Sequence, residues 1–415
     1  MTTTATAATV NEQRQWDRLM AMAQIGAIAN NGVNRACLTE LDRQARRLLI
    51  GWGKEIGATV SIDAAANLWL RREGSEPHAA AVVTGSHMDT QPNGGRFDGI
   101  YGVIAGLEAL TTLHQSGITP RRPIEVVAWT NEEGGRFAPG CMGSMSWSGF
   151  RGLQEFAEIL DPDGIRFGDA LATHLTAETD LPHRPLGSQP HAYVEAHIEQ
   201  GPRLEAEKLD IGVVTGIQGS RWFTVTLTGD TAHAGTTPLA LRRDAVQDML
   251  RAITALNALM HDPLDVLRFT VGRISVEPNT SNSVANRASF TIDFRHPDKA
   301  VLLARGDAVA GVVQAAVRDA NVTVQETFHT LPVEFSPLVI DAVERAATQQ
   351  RYRLMRLPSG AFHDAQFVVP VCPTGMIFVP CHKGISHNPA EFSEPGQLAA
   401  GTQVLTHALV ELANS

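Results

Sequence analysis

The stretch AAAVVTGSHMDTQPNGGRFDGIYGVIAGLEAL, residues 79–110, holds an unbroken apolar run, a histidine, a glycine-dense loop, an aspartate and a second apolar run, in that order. A run such as AAAVVTG (79–85) is apolar on both faces, which fits a strand buried inside a parallel sheet. IYGVIAGLEALTTLHQSG (100–117) carries apolar residues at three-and-four spacing and predicts a helix. Strand, loop, helix is the repeating step of an α/β fold, in which ligands bind beyond the carboxyl ends of the strands. His87 and Asp98 stand at that end.

Three more runs repeat the pattern. IEVVAWT (124–130) leads into the paired acids Glu132 and Glu133 of NEEGGRF; AYVEAH (192–197) ends on His197; GMIFVP (375–380) precedes His387 in GISHNPAE. The N-terminal WDRLMAMAQIGAIA (16–29) also reads as a helix. Four separate segments therefore deliver metal-type side chains to one sheet edge. One histidine near a strand end is commonly a hydrogen-bonded structural residue, but this constellation matches the mixed nitrogen and oxygen ligation of Zn, Mn, Co or Ni. Five ligands serve two ions when one is shared, and Asp98 is the expected bridge. Two adjacent glutamates diverge in direction, so one can coordinate while the other takes a proton from an activated water.

Residues 215–328 predict a separate unit. VTGIQGS leads into RWFTVTLTG (strand), RRDAVQDMLRAITALNALM (helix), LRFTVGRISVE and ASFTIDFRH (strands), KAVLLARGDAVAGVVQAAVRDA (helix) and VTVQETFH (strand). That order is the split βαβ pattern of a small four-stranded, ferredoxin-like sheet. The remaining segments, 1–214 and 329–415, predict the catalytic α/β domain, a mixed sheet sandwiched by helices into which 215–328 is inserted. PLVIDAVERAAT and a final helix near 396–413 complete it. A chain of 415 residues exceeds the roughly 250 to 300 at which one core stops growing.

The formal net charge of −10 and the pI near 5.8 supply no attraction to nucleic acid or an anionic membrane, so a small-molecule substrate is expected. MTTTATAATV lacks the basic start and apolar core of a signal peptide, and no run approaches the ~20 apolar residues of a membrane span, which predicts a cytoplasmic protein. Four scattered cysteines, Cys37, Cys141, Cys372 and Cys381, form no CxxC pair and are expected reduced. Cys141, in GCMGSMS, is expected to be a buried structural thiol rather than a nucleophile. Ser144, Ser146 and Ser148 form no GxSxG elbow, which argues against a serine hydrolase.

TGSHMDTQPNGGRFDGIYGVIAGLEAL, NEEGGRF, HIEQGPRLE, TAHAGTTP, TIDFRH, SGAFHDAQ and CPTGMIFVPCHKGISHNPAE together resemble, in order and over most of the chain, the hydantoinase and carbamoylase amidases of the dinuclear M20 metallopeptidase-like hydrolases. That group includes N-carbamoyl-L-amino acid hydrolases, beta-ureidopropionases and allantoate amidohydrolases. The resemblance implies two divalent metal ions per subunit. His87, Asp98 and His197 would bind one ion or bridge, and Glu133 and His387 would serve the other. Glu132 would be the base and Asp89 would orient His87 from behind. It further implies that Gln200, His233, Asn282 and Arg295 contact substrate, with Arg295 pairing a carboxylate. His233 would stabilise an oxyanion from the partner subunit, so a homodimer is expected, with 215–328 as its dimerisation and lid domain.

Phe362 in SGAFHDA, Cys381 with His382 and Lys383, and Arg221 with Trp222 in GSRWF depart from the pattern of that group. The first bears on the substrate pocket. The expected reaction is hydrolysis of the ureido C–N bond of N-carbamoyl amino acids, alpha or beta. Allantoate is the alternative substrate, and a peptidase or deacylase of the wider superfamily is a third reading. A non-catalytic binding module is disfavoured because every inferred ligand and the base are present.

Overall fold

The computed structural model describes residues 8–415; the reading of residues 1–7 as no part of a signal peptide lies outside them. The chain divides into two compact units. One runs to Thr215 and resumes at Glu334–Ser415, and the other is Gly216–Val333.

The larger unit is built on a nine-stranded mixed sheet. Its centre is four parallel strands in the order Ile124–Trp129, Val82–His87, Ala192–Ile198 and Thr374–Val379. Every residue of these four is buried, which is why their sequences are near-continuous apolar runs. Chain order across the centre is second, first, third, fourth, so the direction of winding reverses at Val82–His87. In such sheets the ligand crevice opens at that reversal, beyond the carboxyl ends. Antiparallel strands extend both sides: Leu68–Arg72 and Thr59–Ile62 on one, Ile211–Ile217 on the other.

The helix Ile100–Gln115 is buried almost throughout. It packs on the sheet and on the equally buried C-terminal helix Pro395–Asn414, and a helix apolar all round belongs in such an interior. The N-terminal helix is shorter than its periodicity suggests. It spans Glu12–Ala23, because the chain turns at Gly26 (φ 87°), where a Cβ would lie 2.5 Å from the Asn34 carbonyl. No helix among the described residues is long and apolar enough to cross a membrane.

The smaller unit is a four-stranded antiparallel sheet in the order Asn321–Thr330, Gly219–Thr228, Arg287–His296, Arg268–Glu277, so its last strand passes residue 328. Alternate residues of Arg287–His296 are buried, as expected where one face meets helices. The helices are Ala245–Leu259 and Lys299–Ala316, and the core between them and the sheet includes Val225, Phe290, Phe294, Leu256, Leu302 and Val309. Asp248, fully buried, accepts from the backbone N–H groups of Arg318, Asp319 and Ala320 at 2.9, 2.9 and 2.7 Å and from Arg251. These bonds outweigh burial and hold its carboxyl below the usual range. Asp248→Ala would leave those donors unpaired. It is expected to destabilise this unit by about 2 to 4 kcal/mol, measured by hydrogen exchange in Ala245–Leu259 and Lys299–Ala316, with Asp248→Asn milder.

Candidate metal centre

Gly99 (φ 65°) shapes the first part of the site. A Cβ there would lie 2.2 Å from the His87 ring, so only glycine lets the helix Ile100–Gln115 begin against that imidazole. Asp98, just before this helix start, is thereby brought between the histidines. Its Oδ1 lies 3.2 Å from His197 Nε2 and 3.8 Å from His87 Nε2, and its Oδ2 lies 3.4 Å from His387 Nε2. Oδ2 also accepts from Ser386 Oγ at 2.7 Å and Gln200 Nε2 at 3.0 Å.

The two strand-end histidines each have one nitrogen committed to a carbonyl. His87 Nδ1 is 2.9 Å from the Asp89 backbone oxygen and His197 Nδ1 is 2.9 Å from that of Ile198. Each ring therefore offers Nδ1–H to a carbonyl and turns Nε2 toward Asp98. Asp89 does hold His87, but through its backbone. Its carboxylate, 3.9 Å from Nδ1, accepts instead from the N–H groups of Glu132 and Glu133, each at 3.2 Å.

That pairing requires a tight turn after the strand Ile124–Trp129. Asn131 supplies it in the left-handed region (φ 57°), its amide donating to the carbonyls of Phe137 and Pro139. The adjacent glutamates then diverge. Glu133 Oε2 lies 3.3 Å from His387 Nε2 and accepts from Gln91 Nε2 at 2.9 Å, while Glu132 Oε2 lies 3.4 Å from His87 Nε2. Gln200 and His387 have positive φ of 54° and 53°, a conformation that surrounding contacts must enforce.

Two donor groups result: His87, Asp98 and His197, all buried, and Asp98, Glu133 and His387. Asp98 belongs to both. The electrostatics also fit a cation. Burial opposes ionisation of Asp98, but the hydrogen bond and charge of His197, with His87 and His387, hold it well below the usual carboxylate range. Burial followed by Asp364, Glu133, Asp89 and Asp98 pushes Glu132 far up, and burial followed by Asp98 and Asp89 does so for Glu133. Burial pushes His87 down to about 4. Carboxylates crowded without a strong base are the arrangement a divalent ion relieves, and three imidazoles with carboxylates suit Zn, Mn, Co or Ni.

Several residues here were not anticipated. Glu391 is buried, accepts from the N–H groups of Phe97 and Asp98, and is pushed up to about 8 by burial and Asp98. His363 packs on His197 with ring centroids 4.5 Å apart, and Asp364 accepts from Ser144. Both lie in SGAFHDAQ, where the adjacent histidine and acid were the available signal. Glu195, His197 and His363 form a third grouping of possible donors. It is a poor cation site, since Glu195 already accepts from Ser86, Tyr193 and the N–H of Ala365, and the His197 nitrogen not held by Ile198 faces Asp98.

Gln200 sits on Asp98 rather than apart from it, and its Oε1 has no hydrogen-bond partner among the described residues. His233, Asn282 and Arg295 belong to the other unit. Ala232–His233 pairs with Ser283–Val284, and the N–H of Ala234 donates to the Asn282 carbonyl, so His233 and Asn282 are neighbours on one ribbon. His233 Nδ1 accepts from the N–H groups of Gly235 and Thr236, which leaves its proton on Nε2. Arg295 is braced by Asp293, two residues away on the same strand.

Cys141 is buried, and its thiol, pushed up by burial and Glu132, faces Glu132 Oε1 at 3.6 Å as a donor, not a nucleophile. His382 and the N–H of Lys383 bind Glu205, so that departure anchors the turn before His387. Arg221 is buried against Glu326 and Asp307, and Trp222 packs on Phe328. Phe362 is half-buried.

Residues 83–411 match the model of Peptidase family M20/M25/M40. The chain is 41% identical to an N-carbamoyl-L-amino-acid amidohydrolase of Rhizobium meliloti over 97% of each, and 32% identical to an allantoate amidohydrolase of Bacillus subtilis (strain 168) over 96% of this chain and 97% of that one. A crystal structure of an amidase of the hydantoinase/carbamoylase family from Burkholderia multivorans superposes with a TM-score of 0.90 at 44% identity, covering 99% of each chain. With the match spanning both ends of the donor set and the fold shared along its whole length, this chain belongs to Peptidase family M20/M25/M40.

Proposed function

We propose that this chain is a metal-dependent amidohydrolase that cleaves the ureido C–N bond of N-carbamoyl amino acids, alpha or beta, to amino acid, ammonia and carbon dioxide. The observation that carries the reading is the position of Asp98 in two donor groups, with Glu132 beside them. His87, His197 and Asp98 would hold one divalent ion, and Glu133, His387 and Asp98 a second. When bound, the ions supply Lewis acidity and bring the pKa of a water to roughly 7.

Glu132 takes the proton from the attacking water and passes it to the leaving nitrogen. Its Oε2 lies 3.4 Å from His87 Nε2, beside the donor groups, where a group that carries a proton between two steps must stand. Asp89 keeps Glu132 in place through its backbone N–H. The Nε2–H of His233 is a donor for the oxyanion that forms on the carbonyl, a contribution of about 3 to 4 kcal/mol in comparable sites. Asn282 and Arg295 take the substrate carboxylate, Arg295 through its guanidinium fork, and Gln200 orients the ureido group. We assign His233 to the partner subunit of a homodimer, with the smaller unit as its dimerisation and lid domain. Four unpaired cysteines suit a cytoplasmic setting.

Glu132→Gln keeps the size and loses the base. Its kcat is expected to fall by roughly 10² to 10⁴ with the melting temperature retained, and full activity in this variant would sink the mechanism. Ammonia release from N-carbamoyl-L-amino acids, beta-ureidopropionate and allantoate, beside dipeptides and N-acetyl amino acids, tests the substrate. N-carbamoyl amino acids are expected to turn over fastest, and thorough chelation is expected to abolish turnover. The full-length match to an allantoate amidohydrolase makes faster allantoate turnover the outcome that would favour the second reading.

The metal-stripped protein should also show a signature in stability. Burial with Asp42 pushes Asp89 up to about 7, and Glu391 stands at about 8, against roughly 4 in an unfolded chain. Between those values the folded state binds more protons than the unfolded state, so stability falls as pH rises. The buried histidines held low, His87 and His174, lose stability only below roughly pH 6.5. Calorimetry of stripped protein is therefore expected to give a melting temperature that drops from about pH 6.5 to 8, with Mn²⁺ raising it more at the upper pH. A melting temperature that climbs over that range contradicts the assignment.

A further inference from the structure

Glu391 is 1% exposed and makes a set of bonds that no catalytic step uses. One oxygen accepts from the backbone N–H groups of Phe97 at 2.8 Å and Asp98 at 3.0 Å; the other lies 3.2 Å from Ser386 Oγ. The same hydroxyl lies 2.7 Å from Asp98 Oδ2 and receives Gln200 Nε2 at 3.1 Å. The loop before Asp98 runs hard against this carboxyl, since a Cβ on Gly95 would lie 2.1 Å from it. Glu391 is tied back to its own loop by its N–H to the Asn388 carbonyl at 2.9 Å. A single buried carboxyl thus joins the loop that carries Asp98 to the loop that carries His387.

We infer that Glu391, acting through Ser386, is a positioning residue that sets the direction of the Asp98 carboxylate and so the affinity of the cluster for divalent ions. This rests on the reading above that Asp98 is shared between two ions. Two buried N–H groups without an acceptor turn to find one, and the peptide that would turn is the one bearing Asp98. Ser386 and Gln200 meanwhile fix Oδ2 beside His387 Nε2, which leaves Oδ1 to His87 and His197. Outer partners of this kind typically govern metal affinity rather than bond making.

The test uses the full chain, stripped of metal and titrated with Mn²⁺ by calorimetry, with the Mn²⁺-induced rise in melting temperature as a second readout. Glu391→Ala is expected to bind Mn²⁺ roughly tenfold to hundredfold more weakly, whereas Glu391→Gln, whose amide oxygen still accepts both N–H groups, stays within about threefold of the parent chain. Should Glu391→Ala fail to fold, Ser386→Ala, which removes only a hydroxyl, carries the same expected loss. Parent-like Mn²⁺ affinity in the alanine variant that folds overturns the inference, as does a glutamine variant as weak as alanine. A parent chain that takes up no divalent ion overturns the metal reading itself, which separates that failure from this one.

Discussion

A carboxylate has two oxygens and about four lone-pair directions, and at Asp98 all are spoken for. Oδ1 turns to His87 and His197, and Oδ2 to His387, Ser386 and Gln200. Much of the larger unit can be understood as the means of holding that one group. The parallel strands end at a common edge, the helix Ile100–Gln115 starts beside it, and Gly99 lets the start come within contact of an imidazole. Burial alone would neutralise Asp98, and the three imidazoles keep it ionised. The histidines thus act on the acid before any ion does.

The neighbouring acids are treated in the opposite way. Glu132 and Glu133 stand beside Asp98 on one side and Glu391 lies against the loop before it, and each holds its proton more tightly than a solvated carboxylate. Two acids in sequence, separated only by the divergence of adjacent side chains, acquire different partners: a histidine and a glutamine for Glu133, a histidine and a thiol for Glu132. The local backbone carries part of the cost, with Asn131, Gln200 and His387 all in the left-handed region. Such conformations collect where a site demands an orientation that the relaxed chain would not adopt.

The buried parallel strands were legible in the sequence because full burial leaves an unbroken apolar run, and the residues just past each run were legible for the same reason. The unit Gly216–Val333 was readable from alternation, since one face of its sheet meets helices. The short antiparallel strands Thr59–Ile62 and Leu68–Arg72 gave too little pattern to identify, and the first helix was overextended because its apolar spacing continues past the turn at Gly26. Glu391, His363 and Asp364 were missed as site residues because their burial depends on contacts far away in the chain, with Phe97, His197 and Ser144. An acid in a glycine and proline loop reads as solvated until the fold is known.

Asp89 has one consequence of a different kind. Its carbonyl fixes the His87 ring and its carboxylate fixes the turn bearing Glu132 and Glu133, so two neighbouring strands hang on a single hinge pin. The distance from His87 to Glu132 is then set within one residue and cannot drift as the two strands shift against each other.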